Sequence, residues 1–325
     1  MREFDLIAFI RERIAHSRED VALGIGDDAA LLKPPAGQQL AACTDTLVAG
    51  VHFPHDTSAE DIGWKSLAVN LSDLAAMGAV PAWAMLSLTL PRAETDFVER
   101  FADGFAELAR EHEVALIGGD TTQGPLSITV SAFGLVPGNR ALLRSGARAG
   151  DAVFVTGTLG DAAGALELLR NSEPRIRNPG KQQRAELAAR LNRPQPRVAA
   201  GLALRGIASA CIDVSDGLLA DLGHVCEASA AGAVIDVDAL PISVTLKEFF
   251  AAAQCRDFAL SGGDDYELCF TVREADAPRV VEALARIDCA AARIGRIVAG
   301  AAVNLRDANG NVVEMPKRGW QHFTS

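Results

Sequence analysis

The reading of KSLAVNLSDLAAMGAVPAWAMLSLTL, residues 65–90, decides the fold. Trp64, Leu67, Leu71 and Leu74 recur at helical spacing, so residues 61–76 read as a helix. Gly78 and Pro81 end it, and Ala82 to Leu90 then alternates as a strand does. No charge interrupts the chain between Asp73 and Arg92, but this break leaves each piece too short to span a bilayer. A helix handing over to a strand in this way belongs to the α/β class. Asp73 stands inside the helix among small and apolar residues, with no basic residue at i±4. A buried carboxylate so placed takes up a proton, finds hydrogen bonds or holds a cation. Oxygen-only ligands suit Mg2+ or Ca2+, and Mg2+ is favoured where phosphates complete the shell.

Outward from this stretch the same alternation continues. Phe4, Ile7, Ile10 and Ile14 mark a helix over 3–15, and Gln39 to Thr44 reads as a short buried strand ending at Asp45. Phe97, Phe101, Phe105 and Leu108 mark a helix at about 94–112. The apolar run 114–117 then meets Gly118-Gly119-Asp120, and 126–136 is the next strand. SGARAGD at 145–151 is short, polar and glycine-bearing, and a new strand, VFVTG, follows it. Domains of 1–148 and 149–325 are therefore expected, in line with 325 residues at about 150 per domain. A helix at about 160–170 gives way to NSEPRIRNPGKQQ, which reads as a surface loop, and DANG at 307–310 reads as a hairpin turn. LIGGDTT at 116–122 and LSGGDDY at 260–266 echo each other, a weak hint of duplication.

Composition narrows the class of function. The chain carries 31 Lys and Arg against 42 Asp and Glu, a net charge of -11, so nucleic acid is a poor partner. The six cysteines form no C-x-x-C pair and most sit in apolar runs, as expected for buried free thiols in a reducing compartment. The N-terminus mixes acids and bases through its apolar stripe, unlike a signal peptide, so the expectation is a soluble cytoplasmic protein without membrane partners. No P-loop, protein-kinase signature, zinc-ligand spacing or G-x-S-x-G occurs.

What remains is a series of aspartates where apolar segments meet glycine or small residues: 27 and 28, 45, 73, 120, 213 and 216, and 264 and 265. Short carboxylates at strand ends converge on one edge of an α/β sheet, where ligands bind. Each also has a plainer role, such as helix capping for Asp216 before GLLADLGHV. Gly118-Gly119, Gly262-Gly263 and Gly157-Thr158-Leu159-Gly160 would let backbone N–H groups approach an anion, or serve only as turns. His52 orients a substrate or is a hydrogen-bonded surface residue; Arg144 is a phosphate clamp or an ion-pair partner.

Taken in order, LGIGDDAALL, TDTLVAGVHF, KSLAVNLSDLAAMGAVPAW, LIGGDTTQGPLS, RSGARAGD, VTGTLGD, IDVSDGLLADLGH and SGGDDYELCF closely resemble the thiamine-monophosphate kinase family. Its superfamily includes aminoimidazole ribonucleotide synthetase and selenophosphate synthetase. The resemblance spans nearly the whole chain. It implies a two-domain, synthetase-like α/β fold with α+β mixed sheets, an N-terminal sheet forming a dimer barrel, and a C-terminal α/β sandwich. It also implies a homodimer that phosphorylates thiamine monophosphate to thiamine diphosphate, with ATP as co-substrate and several Mg2+ ions.

By motif, the metal ligands would be Asp28, Thr44, Asp45, Asp73, Asp120, Asp213 and Asp216. Gly119, Asp120, Arg144 and Ser215 would face ATP, with Asp120 and Arg144 catalytic. His52, Asp264 and Trp320 would meet the acceptor. Two positions depart from the family pattern: Cys43, where relatives often carry a hydroxyl, and Asp264, where they commonly carry Glu. A sister activity of the superfamily and a non-catalytic Mg2+-nucleotide sensor are the alternatives. The sensor predicts ATP binding without acceptor-dependent turnover.

Overall fold

A computed structural model of the chain describes residues 3–14, 17–170 and 180–314. The chain divides into two compact units, Met1–Leu74 with Ala79–Asn139, and Ala75–Gly78 with Arg140–Ser325. Among the described residues no helix is long and apolar enough to cross a membrane.

The first unit comprises α1 (Glu3–Arg13), a short hairpin of β1 (Val21–Leu23) and β2 (Leu31–Leu32), β3 (Gln38–Val48), α2 (Ala59–Ala76), β4 (Val80–Leu90), α3 (Thr95–Glu111), β5 (Ala115–Gln123) and β6 (Ser127–Pro137). Strands β3, β6, β4 and β5 form one sheet in that order. Only β4 and β5 run parallel, and α3 is the crossover that a parallel pair needs. Val98, Phe101, Phe105 and Leu108 bury one face of α3. α2 crosses α3 so closely that a Cβ on Gly104 would lie 1.9 Å from the Glu60 carbonyl oxygen, a contact only glycine permits. Trp83 of β4 is fully buried, and its indole donates to Asp20 Oδ1 at 3.1 Å.

Two expectations change here. β3 is eleven residues long, and only Leu47 in it is buried. Its alternate residues meet different surroundings: Cys43 Sγ donates to the Asn70 carbonyl oxygen of α2 at 3.4 Å, while Thr44 and Thr46 bond Ser131 and Thr129 of β6 through their hydroxyls. Gly118-Gly119-Asp120 is not the end of a strand but lies inside β5, where Gly118, Gly119 and Asp120 pair with Met85, Leu86 and Ser87. Register slips between Ala84 and Met85, and Gly119 takes φ +153° with its Cα against Leu86, where a Cβ would sit 1.8 Å from the carbonyl oxygen. The slip leaves Ile117 as the extra residue of a bulge, and the double glycine follows it directly.

The second unit comprises β7 (Ala152–Thr156), α4 (Asp161–Arg170), α5 (Lys181–Asn192), α6 (Val198–Leu204), β8 (Ala210–Val214), α7 (Leu218–Ala228), β9 (Gly232–Asp236), α8 (Val244–Phe249), α9 (Ala252–Ser261), β10 (Glu267–Val272), α10 (Ala277–Ala285), β11 (Ala291–Val298), β12 (Val303–Arg306) and β13 (Val312–Val313). The seven strands run β13-β12-β9-β11-β7-β10-β8, antiparallel except for β12 beside β9. DANG forms the β12–β13 turn as expected. One core packs α7 on the sheet, and a second gathers α4, α5, α8 and α9 around Phe249 and Phe250. The expected loop at 171–182 falls largely outside the described residues, and α5 is already helical from Lys181. The Gly-Gly-Asp echo does not extend to structure: the second copy follows a helix, α9, whereas the first is strand. All six cysteines are free thiols, and Cys211, Cys226, Cys255 and Cys269 are buried.

Candidate active site

In the first unit the acids sit on separate elements. Asp45 points from β3 to the same side as Cys43 and Leu47, and Asp73 projects from α2. Burial, followed by the charges of Asp73 and Asp45, pushes the Cys43 thiol well up, so that thiol stays neutral between two carboxylates. The Thr44 hydroxyl lies on the other face, donating to the Val130 carbonyl oxygen at 3.2 Å and accepting from Ser131. The strand therefore does not bring this side chain to Asp45 and Asp73. Asp28 is exposed in the loop between β1 and β2, where its N–H donates to Asp27 Oδ1 at 2.9 Å.

Asp120 is exposed on β5, at the opposite edge of the sheet from Asp45. Three strand spacings, roughly 14 Å, separate those edges. Asp120 borders a small cavity of about 60 Å³ whose other walls include Ile10, Leu86, Leu88 and Leu116. His52 Nδ1 accepts the Val48 N–H at 2.9 Å, which makes Nε2 the ring's donor. The buried Lys65 of α2, which the sequence reading does not single out, donates to the His52 carbonyl oxygen at 3.3 Å.

The second unit does concentrate its motifs, because β10 is antiparallel to β8 and begins where β8 ends. Asp213 is buried at the end of β8, and Ser215 and Asp216 follow in the turn into α7. Asp221 Oδ2, one turn along α7, accepts the N–H groups of Ser215, Asp216 and Gly217 at 3.0–3.1 Å. Burial first, then the neighbouring Asp213 and Asp216, raises the Asp221 carboxyl to about 8 despite those bonds. The sequence signal for Asp221 is a charge inside the apolar run GLLADLGHV. The N-cap position of α7 is Gly217, and Asp221 organises the turn before it.

Asp264, Asp265 and Tyr266 join α9 to β10. The N–H of Asp264 donates to the Ser215 carbonyl oxygen at 2.9 Å, and that of Tyr266 to Val214 at 2.8 Å. The adjoining Glu267 is fully buried and takes Arg190 at 2.8 Å, Arg197 at 2.6 Å and the Thr156 hydroxyl at 2.7 Å. Burial alone would raise its carboxyl, but Arg197 and Arg190 hold it below the usual carboxylate range. Arg144 is exposed, and its guanidinium meets no partner among the described residues. Trp320 lies outside the described residues. A larger groove, about 430 Å³, lies at the far edge of this sheet, where Arg293, Arg296 and Arg306 are matched by Asp236 and Asp307 and by the Glu274 pair of Arg293.

Among the described residues no three His, Cys, Asp or Glu side chains close on one point as a metal cage. The carboxylates at these positions are of the oxygen class that Mg2+ takes, an ion bound through one or two carboxylates plus substrate phosphates. The donors are hard oxygens, and the Cys43 thiol between them stays protonated.

The chain matches the AIR synthase related protein N-terminal domain over residues 26–136 and the corresponding C-terminal domain over residues 148–308. It is 47% identical to the thiamine-monophosphate kinase of Escherichia coli (strain K12), covering 99% of this chain and 98% of that protein. The crystal structure of thiamine-monophosphate kinase from Stenotrophomonas maltophilia K279a superposes with a TM-score of 0.88 at 51% identity, covering 96% of this chain and 98% of that one. AaThiL, solved with AMPPCP and TMP, superposes with a TM-score of 0.76 at 33% identity, covering 99% of each chain. Both halves of the fold and full-length identity to enzymes of one name agree with the motif series, and the chain belongs to the thiamine-monophosphate kinase family.

Proposed function

We propose that the chain transfers the γ-phosphoryl group of ATP directly to the phosphate of thiamine monophosphate, giving thiamine diphosphate and ADP. The observation that carries this reading is the solved relative AaThiL, described with AMPPCP and TMP and alike in fold over 99% of this chain. An acceptor phosphate oxygen attacks the γ-phosphorus, and the bond from that phosphorus to the β,γ-bridging oxygen breaks, leaving ADP. A phosphate monoester has a second pKa near ~6, so the attacking oxygen is largely ionised at neutral pH and needs no general base. Repulsion between the two anions is the barrier, and alignment with charge neutralisation lowers it.

Asp28, Asp45, Asp73, Asp120, Asp213 and Asp216 hold Mg2+ in this reading, and Thr44 contributes through its carbonyl oxygen rather than its hydroxyl. Bound Mg2+ neutralises phosphate charge. With Asp45 and Asp120 on strands roughly 14 Å apart, more than one ion is required if both act as ligands. Gly119, Asp120, Arg144 and Ser215 face ATP, and the guanidinium of Arg144, exposed and without a partner among the described residues, is suited to a phosphate oxygen. His52, through Nε2, Asp264 and Trp320 meet the acceptor. The homodimer and its barrel are part of the proposal. They are supported by the hydroxyl row of Thr44, Thr46, Thr129 and Ser131 and by the exposure of Leu40 and Met85 on the same sheet.

Thiamine diphosphate and ADP are to be followed by chromatography with Mg-ATP and thiamine monophosphate, against thiamine, formylglycinamidine ribonucleotide and no acceptor. Acceptor-dependent thiamine diphosphate is the expected result. ATP binding without it would favour the sensor.

A further inference from the structure

The segment carrying Asp264 is held in an unusual backbone. Asp264 takes φ +67° and Tyr266 φ +50°, the left-handed region that non-glycine residues rarely occupy, on either side of Asp265. Such a conformation persists only where its surroundings impose it. Here they do so from three sides. The N–H groups of Asp264 and Tyr266 are docked on the Ser215 and Val214 carbonyl oxygens. Asp265, 3% exposed, receives the Gly160 N–H at 2.9 and 3.0 Å on its two oxygens, tying the turn to the GTLGD loop. Glu267, next along, is anchored by Arg190 and Arg197.

Tyr266 is the single tyrosine of the chain, and it is 7% exposed. Its hydroxyl donates to Asp264 Oδ1 at 2.9 Å. Asp264 has a short side chain with two torsions, and a donor on one carboxylate oxygen sets the direction of the other. The left-handed backbone at both residues is what folds the ring back over a carboxylate only two positions earlier. The phosphoryl transfer itself has no use for this hydroxyl.

We propose that Tyr266 is a positioning residue for the acceptor: its hydroxyl aims the Asp264 carboxylate at thiamine monophosphate and so sets the affinity for that substrate but not for ATP. The inference rests on the reading that Asp264 meets the acceptor, and the experiment separates the two.

Steady-state kinetics with each substrate varied in turn compare the unaltered enzyme, Tyr266→Phe, Asp264→Ala and the double variant, with thermal melts alongside. A hydrogen bond to a charged group predicts that Tyr266→Phe raises KM for thiamine monophosphate about tenfold, lowers kcat by less than threefold and leaves KM for ATP within twofold. Asp264→Ala raises the same KM at least as much. A hydroxyl that acts through that carboxylate predicts a double variant matching Asp264→Ala alone. A large Asp264→Ala effect with none from Tyr266→Phe overturns the positioning role. So does an equal rise in both KM values, or an additive double variant, since either describes a merely structural tyrosine. An unchanged KM in Asp264→Ala instead removes the placement of Asp264 at the acceptor, and the inference falls with it.

Discussion

The two Gly-Gly-Asp stretches, 118–120 and 262–264, look alike in sequence and are used in opposite ways. In the first, the backbone is committed to the β4–β5 ladder, while the Asp120 side chain stands exposed at the rim of a cavity. In the second, no ladder holds the glycines. The aspartate is secured from outside by the Ser215 carbonyl oxygen and by the Tyr266 hydroxyl, and the next two acids are sunk into Gly160, Arg190 and Arg197. The lesson is that an acid can be displayed by a strand ladder alone, whereas an acid in an irregular turn needs buried acids beside it to hold that turn. Asp120 is of the first kind and Asp264 of the second, with Asp265 and Glu267 as the buried acids.

Breaking the comparison at its most exposed acid has the largest expected effect. Asp120→Asn should lower kcat by two to three orders of magnitude, about 3–4 kcal/mol of barrier, with the melting temperature unchanged. Near-normal kinetics would remove Asp120 from the metal and nucleotide site.

Next comes the consumed acid. Glu267→Gln leaves two guanidinium groups facing a neutral amide in a buried site, and should destabilise the fold by about 3 kcal/mol at pH 7. Because the folded-state pKa of Glu267 lies below its unfolded value of about 4.3, the native carboxylate stabilises the fold fully above that value. The contribution fades as pH falls through the folded pKa. Denaturant titrations of the two proteins should therefore differ most above about pH 5 and converge in acid, and a pH-independent gap would contradict the charge pairing.

The smaller effect separates the two pairs of glycines. Gly119→Ala puts a Cβ 1.8 Å from a backbone oxygen at φ +153°, while the Cβ of Gly263→Ala meets the Ser215 oxygen at 2.5 Å with no left-handed φ to strain it. Gly119→Ala should cost about 2–3 kcal/mol and Gly263→Ala less, as read from urea midpoints. Equal midpoints would show that β5 can straighten its bulge.

Much of this was legible from residue order. The helix-to-strand handover at Gly78 and Pro81, the amphipathic α3, the DANG turn and the restart after SGARAGD all follow from local periodicity and turn chemistry, and they appear where expected. The motif series identified the family because eight ordered segments constrain far more than any one of them. Period-two alternation did not reveal that β3 extends to Val48, because its outer face carries Thr44 and Thr46, whose hydroxyls are satisfied by Ser131 and Thr129, residues more than eighty positions away.

Local sequence determined the helices near 3–15, 61–76, 94–112 and 160–170, where the aspartates fall and to which family the chain belongs, since these depend on neighbours within a few residues or on the order of motifs. Tertiary structure alone decided that Gly119 packs against the Leu86 carbonyl just after a bulge, that Asp45 and Asp120 occupy opposite sheet edges, that Thr44 turns its hydroxyl away from Asp45, and that Asp221, Asp265 and Glu267 are spent on backbone N–H and guanidinium groups. Each is a pairing between residues from separate elements. A carboxylate is consumed or left available according to the donors that strand pairing and helix packing bring beside it.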